Sequence, residues 1–416
     1  MESFCILLLI LHGICSAKGM ILKQAIVFII GELCCFTGTF LIKKTSLDAV
    51  LQLLMRLTFF IQAIGFWFQF QCNFQQDNNQ MIEFFFDFLI NLAVSVPVYF
   101  LFSIGKEKLI FWIGKLSTFL LPFLLLYTRL FSHPVSGSYI QFFHGFLTFG
   151  LVLFLWPFAS MFLLGQKPGT NLYHRFYALP KNQFFYLLET ILLILLACIN
   201  NDFGTAMLIG ATAAILLFIY GRDWICKISF LLFGILGIIG ACFISQKLFF
   251  RFFVCIHLKE CVGTENNYLA QQSEALLYLM QNINVSGPFG AGFGKLPRSI
   301  FPNLDTDYVV SAMLYEQGIW MILCIACLIL LFIITMLKIE PKQKLQNRLA
   351  FMIAFVFAVN MVWIYLGNLS ILPICGLSFP FISHGSSTNL AFSLLLTVFL
   401  SITNDVHTMN KHKIID

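Results

Sequence analysis

Charge is what this sequence has least of. Of its 416 residues, only 11% are Asp, Glu, Lys or Arg, while 59% are hydrophobic and the mean hydropathy is +0.89. A soluble globular chain carries roughly 25% charged residues, which excludes the two or three water-soluble domains that this length would otherwise suggest. Polar–apolar alternation, the mark of a membrane β-barrel strand, is scarce as well: the runs from Ile191 to Cys198 and from Leu328 to Met336 are apolar throughout. In lipid every backbone polar group must be satisfied internally. The expected fold is therefore all-α, a polytopic transmembrane helix bundle.

The little charge there is has a pattern. The net charge of +6 comes from small Lys/Arg clusters: Lys43-Lys44, Lys106 and Lys108, Lys167/Arg175/Lys181, Arg222/Lys227, Lys338/Lys342/Lys344/Arg348, and Lys411/Lys413. They fall at every second connection between apolar runs, which is the positive-inside pattern. This placement accounts for the excess without a nucleic-acid partner and puts the C-terminus on the cytoplasmic side of the cytoplasmic (inner) membrane. A bilayer core of ~30 Å needs about 20 apolar residues per crossing. That length places helices near 50–71, 81–104, 108–131, 139–164, 184–200, 204–221, 225–247, 308–337, 348–371 and 385–404.

Two further apolar segments, 3–17 and 21–42, precede these. The first is short for a span and resembles a signal-type segment ending near Ala17. Glu2 and the lack of an early Lys or Arg favour instead an extra N-terminal helical pair. Three regions follow: an N-terminal hydrophobic extension (1–49), a ten-helix core (50–404) and a cytoplasmic tail (405–416). Thirteen cysteines lie mostly inside apolar runs, where Cys acts as a small hydrophobe. The Cys324/Cys327 spacing falls within a helical run and reads as packing rather than a redox or zinc pair. Cys255 and Cys261 share an outer loop and are close enough in sequence to pair if that side is oxidising, though the pattern does not require it.

Alternating the spans leaves outer loops at 72–80, 132–138, 199–203, 248–307 and 372–384. Only the loop 248–307 is too long to be a connector. It holds Arg251, Lys259, Lys295 and Arg298 against the charge rule, an exception that an anionic ligand would explain. Asp307 ends this loop beside Asp305, in Phe301-Pro302-Asn303-Leu304-Asp305-Thr306-Asp307-Tyr308. One reading makes Asp307 a helix cap. Two acids are more than a cap requires, so the other makes it a general base or a divalent-metal ligand. Upstream, Gly290, Gly292 and Gly294 would let backbone N–H groups approach a pyrophosphate, with Lys295 and Arg298 following. No strand–glycine–helix or P-loop pattern surrounds them. Asp202, between two helices at an outer tip, is either a cap or a polar group facing a shared cavity. The Pro-, Gly- and Ser-rich stretch from Asn368 to Ser387 suggests re-entrant backbone lining a cavity, with His384 a proton carrier or a structural hydrogen-bonder.

Several segments together resemble one family, the SEDS (shape, elongation, division and sporulation) proteins of the RodA and FtsW type. Asn201-Asp202-Phe203-Gly204-Thr205-Ala206 is similar to their Pro-Asp-Leu-Gly-Thr-Ala stretch. Gly290-x-Gly292-x-Gly294 through Thr306-Asp307-Tyr308 resembles their outer-loop motif ending in His-Thr-Asp-Phe. Glu316-Gln317-Gly318 stands for Glu-Leu-Gly. Asn368 to Ser387 resembles Asn-Leu-Gly-Leu-Leu-Pro … Leu-Pro-Phe-x-Ser-Tyr-Gly-Gly-Ser-Ser, and Asn267-Tyr268 with Gln272-Ser273 fit the loop before the glycines. The likeness spans roughly residues 50–404. It departs at Asp305 (their histidine), Asn303 (their glutamate), Ser386 (their second glycine) and Gln141-Phe142-Phe143-His144 (their Gln-Pro-Ser-Glu).

The resemblance implies a ten-helix fold and polymerisation of lipid II, a polyprenyl-diphosphate-linked disaccharide peptide, into glycan strands for elongation or division. It makes Asp307 catalytic and a class B penicillin-binding protein transpeptidase the partner. Substrate contacts would come from Asp202, Gln272, Ser273, Gly290, Gly292, Gly294, Lys295, Arg298, Asp305, Glu316, Ser383 and Ser387, with a divalent cation (Mg or Mn) as cofactor. The competing readings are a lipid-precursor translocase and a non-catalytic scaffold for that transpeptidase.

Overall fold

The computed structural model describes residues 2, 5–10, 22–45, 47–73, 79–133, 139–142, 146–165, 171–173, 178–220, 246–261, 287–295, 304–339 and 344–413, with scattered positions between 224 and 235. Its helices are α1 (Leu22–Lys43), α2 (Ala49–Cys72), α3 (Gln80–Phe131), α4 (Thr148–Gly165), α5 (Lys181–Ile199), α6 (Phe203–Tyr220), α7 (Gln246–Ile256), α8 (Val309–Gln317), α9 (Ile319–Leu337), α10 (Lys344–Asn368) and α11 (Ser386–Lys413). Two short antiparallel ladders, Gln141–Phe142 with Phe146–Leu147 and Asn171–Tyr173 with Ala178–Pro180, are the β-structure among the described residues. Ten helical stretches among these residues are long and apolar enough to cross a membrane. The protein is a multi-pass membrane protein.

Nine of the ten expected core helices are among those stretches, and α1 is the tenth. The expected helix 225–247 lies largely outside the described residues, and of the segment 3–17 only 5–10 is described as helix. Three boundaries differ from expectation, each for a local reason. The run 308–337 is broken at Gly318, whose φ of +78° no helix interior adopts. The expected start of a helix at 139 is delayed to Thr148: the Tyr139 N–H donates to the Asn200 carbonyl at 2.9 Å and the Thr148 N–H to the Ile140 carbonyl at 2.8 Å, and Gln141–Phe142 pairs with Phe146–Leu147 instead of continuing as helix. Helical backbone continues through α3 despite Pro97 and Pro122, and its 52 residues would span ~78 Å. That is two crossings, 80–105 and 107–131, meeting at the charged Lys106-Glu107-Lys108.

The chain forms two compact units. The first comprises residues 1–93, 251–339 and 360–389. Its core is aromatic: Phe28 of α1 stacks on Phe70 of α2 at 4.5 Å, and Phe66 meets Phe84 and Phe88 edge-on at 5.1 and 5.4 Å. Gly31 admits the Phe66 ring against the α1 backbone, where a Cβ would stand 2.8 Å from it. The second comprises 94–250, 340–359 and 390–416. There the buried Trp156 indole donates to the Thr212 hydroxyl at 2.8 Å and stacks on Tyr186 at 5.8 Å. The Asn200 amide donates to Leu125 O and Thr128 Oγ1. Such internally paired polar groups are what a span must supply in place of water.

Candidate active site

The site of the first unit is built around the turn 304–307, just before α8. Three successive carbonyls of this turn are held from outside it. Gln69 Nε2 of α2 donates to Asp305 O at 3.1 Å and to Ile382 O at 3.0 Å, and the His384 N–H also donates to Asp305 O, at 2.9 Å. The Ser383 hydroxyl donates to Thr306 O at 2.8 Å and accepts the Phe379 N–H at 2.8 Å. Asn368 Nδ2, at the end of α10, donates to Asp307 O at 3.0 Å. The Asn368 side-chain oxygen accepts from Ser311 N–H and Oγ of α8, both at 3.1 Å. One buried amide thus ties the turn, α8 and α10 together. The Ser383 stretch is itself constrained: Phe381 is held at φ +66°, a left-handed conformation rare for a bulky residue. Asn389 Oδ1 accepts the Phe381 N–H at 3.0 Å, fixing that conformation.

This framework leaves the Asp307 side chain free of capping duty. The N-cap of α8 is Tyr308, with no side-chain cap bond, so the capping alternative is not realised there. Asp307 instead lines a small recess with Trp363, Ile364, Gly367, Asn368, Ile374, Cys375, Gly376 and Leu377. Gly376, at φ +67°, would bring a Cβ to 3.8 Å from the Asp307 carboxylate. Desolvation in this setting raises the Asp307 pKa from 3.8 to about 6; the Arg251 cation pulls it down, the Asp305 carboxylate pushes it up and the Thr306 hydrogen bond pulls it down. The enclosed space is about 10 Å³, the size of a single water, so a substrate reaches Asp307 only by widening the recess.

The glycines have a different job from the one expected of them. Gly290, Gly292 and Gly294 all have positive φ, +78°, +97° and +72°. The Ala291 and Gly292 N–H groups donate to the Tyr315 and Glu316 carbonyls at the end of α8, each at 2.9 Å. Those two amides are therefore committed to protein, not to a phosphate. A Cβ on Gly290 would overlap the Glu316 carbonyl, and one on Gly318 the Pro288 carbonyl. The glycines let the loop lie directly on α8.

The other expected residues divide plainly. Asp305, Glu316, Ser383 and Ser387 are buried, and Lys295 is exposed. His384 meets the turn through its backbone, while its Nε2 stands 3.8 Å from Glu83, beyond hydrogen-bond reach. Asp202 belongs to the second unit and caps α6: its carboxylate accepts the Thr205 N–H at 3.2 Å and the Thr205 hydroxyl at 2.5 Å. Gln272, Ser273 and Arg298 lie outside the described residues. Cys255 and Cys261, which share the outer loop, are not joined in a disulfide, and the Cys255 thiol donates to Ser370 O at 3.3 Å. Sequence reasoning missed Gln69 as a site residue, and named Arg251 only among the outer-loop cations and Asn368 only as the start of the re-entrant stretch. A glutamine inside an apolar run was the available signal for Gln69, because buried amides in a span need partners.

A polytopic membrane bundle with a carboxyl group recessed beside a pinned turn is the class these features define. The family model for FtsW, RodA and SpoVE, described as cell cycle protein, matches residues 49–408. The chain belongs to this family. A probable peptidoglycan glycosyltransferase FtsW from Riesia pediculicola is 24% identical over 217 residues, covering 50% of this chain and 57% of that protein. The corresponding protein of Lactococcus lactis is 23% identical over 287 residues, covering 62% and 65%. A peptidoglycan glycosyltransferase RodA from Mycobacterium bovis is 24% identical over 172 residues, covering 40% and 37%. The matched stretch thus falls short of two thirds of each relative's length. Among solved structures, a chain of a peptidoglycan synthase complex superposes with a TM-score of 0.61 at 18% identity, over 87% of this chain and 99% of that one. The rod shape determining protein RodA of Thermus thermophilus gives 0.58 at 15% identity, over 88% and 99%. The fold is shared with both.

Proposed function

We propose that the chain is a peptidoglycan glycosyltransferase that polymerises lipid II at the outer face of the cytoplasmic membrane. The observation that carries this reading is Asp307: a carboxyl group that does not cap its helix, lines a recess and has its pKa raised to about 6. A base near neutrality is both ionised and basic enough to take a proton in the transition state. The acceptor sugar's 4-hydroxyl attacks the donor's anomeric carbon, a new C–O bond forms, and the bond from that carbon to the diphosphate oxygen breaks. Asp307 receives the hydroxyl proton, and polyprenyl diphosphate leaves with the electron pair. Cations near the site stabilise the departing charge.

The membrane orientation, with the C-terminus cytoplasmic and Asp307 outside, rests on the distribution of Lys and Arg. The relatives' names carry the activity, and the likeness to a chain of a peptidoglycan synthase complex supports a class B penicillin-binding protein as partner. Among the described residues no three His, Cys, Asp or Glu side chains cluster as a metal cage requires. A divalent ion, Mg or Mn, would fit this reading as an ion carried on the donor's own phosphates. The test is polymerisation of lipid II by the purified protein with its transpeptidase. Wild type yields glycan strands, and Asp307→Ala yields none while still folding and binding the partner. Undiminished polymer from Asp307→Ala overturns the assignment. Unpolymerised lipid II crossing liposomes supports a translocase instead, and partner binding with no polymer from wild type supports a scaffold.

A further inference from the structure

The sequence offers Arg251, Lys259, Lys295 and Arg298 as the cations of the long outer loop, and the structure draws attention to the first of them. Arg251 lies on α7, and Cys255 follows it by one helical turn on the same face. The Cys255 thiol donates to Ser370 O at 3.3 Å. That contact lays this face of α7 on the chain just past Asn368, whose side chain holds Asp307 O and lines the Asp307 recess. Val254, between them in sequence, is buried, so this part of α7 is packed rather than trailing. Lys295, by contrast, is exposed. From this placement we infer that Arg251 is the cation flanking the recess, acting on Asp307 at rest and taking the diphosphate of the lipid-linked donor when it binds.

The field of Arg251 on Asp307, the largest influence opposing desolvation there, agrees with this arrangement. The other charged group acting on Asp307 is Asp305, on the same turn, and its sign is the same as that of Asp307. A diphosphate that reaches Arg251 therefore competes with Asp307 for one guanidinium. As Arg251 turns to the phosphate, the Asp307 carboxylate loses its counter-charge and becomes a stronger base at the moment the acceptor hydroxyl must be deprotonated. Arg251 is thus a binding residue for the leaving group and a positioning residue for the base. The inference rests on the glycosyltransferase reading for its substrate, but its test does not need turnover.

A long-chain polyprenyl diphosphate, without any sugar, is titrated into the full-length protein in detergent at pH 7.5. Arg251→Met should weaken binding about tenfold, as loss of a charge-assisted contact predicts, and Arg251→Lys should recover part of it. Asp307→Asn should bind several-fold more tightly than wild type, because the resident competitor is gone. In the Arg251→Met/Asp307→Asn double variant that gain should vanish. Unchanged affinity in Arg251→Met, or a gain from Asp307→Asn that survives in the double variant, overturns the inference. Thermal unfolding of each variant identifies loss through misfolding, and Arg251→Lys then decides. If wild type polymerises lipid II but diphosphate binding ignores Arg251, this inference alone fails. If diphosphate binds as described but no polymer forms, the glycosyltransferase reading fails instead.

Discussion

At Asp307 desolvation outweighs every other influence, and the net result is a carboxyl group that titrates near 6 rather than 3.8. Two measurable consequences follow from that displacement. If Asp307 is the base, the polymerisation rate rises with pH through about 6 and levels off above it. Asp305→Asn removes a like charge, so the rising limb moves to lower pH. The stability consequence has the opposite sense. A pKa raised above its unfolded value means the folded protein holds the proton more tightly. The ionised form therefore opposes folding increasingly as pH climbs from about 4 to 6, and constantly above that. Asp307→Asn, which has no charge to desolvate, should melt at higher temperature than wild type at pH 7.5, with the gap closing by pH 4. A residue that trades stability for activity in this way is expected at a reaction centre.

At the scale of elements, the turn that carries Asp307 depends on how closely the glycine loop lies on α8. Gly318 has φ +78° and no room for a Cβ beside Pro288. Gly318→Ala therefore has both a conformational and a steric penalty, and loses roughly 1–3 kcal/mol of stability, read as a lower melting temperature. Gly292 has a positive φ but open space around its Cβ position, so Gly292→Ala should cost less, about 1 kcal/mol. A larger loss at Gly292 than at Gly318 would contradict this account of the loop. Much of this level was legible in the sequence. Continuous apolar runs of about 20 residues have few alternatives in lipid, and nine of the expected core helices are present. What escaped was set by single tertiary contacts. Nothing in the run 308–337 announces that Gly318 must bend around Pro288. Nothing in 139–147 announces that Asn200 O will accept its first amide. The acid pair Asp305 and Asp307 was legible as a site because charge is so rare here. The amides that hold it, Gln69 and Asn368, carry no charge, and only the folded chain shows that they meet at one turn.

At the scale of the molecule, the family match begins at residue 49, yet α1 is not an ornament on the first unit. Its Phe28 stacks on Phe70, and its Gly31 and Gly38 seat the Phe66 and Phe59 rings of α2. The adjoining face of α2 holds the site: Gln69 binds Asp305 O, and Gly65 leaves space for the Phe381 carbonyl. Within this unit α1 therefore buttresses the helix that fixes the Asp307 turn. A wedge between α1 and α2 should be felt at Asp307 although neither helix supplies the carboxylate. In Gly31→Leu the new side chain must displace the Phe66 ring, and overpacking of this kind costs typically ~1–3 kcal/mol. The expected result is a lower melting temperature together with reduced polymerisation at saturating lipid II, because the turn loses its fixed position rather than its affinity. Gly210→Leu in the second unit, where only the tip of Ile194 lies within 4 Å of a Cβ, controls for a bulky residue in a span. If Gly31→Leu destabilises the protein no more than Gly210→Leu and leaves polymerisation intact, α1 does not support the site. A selective loss with Gly31→Leu ties a helix outside the family match to the chemistry within it.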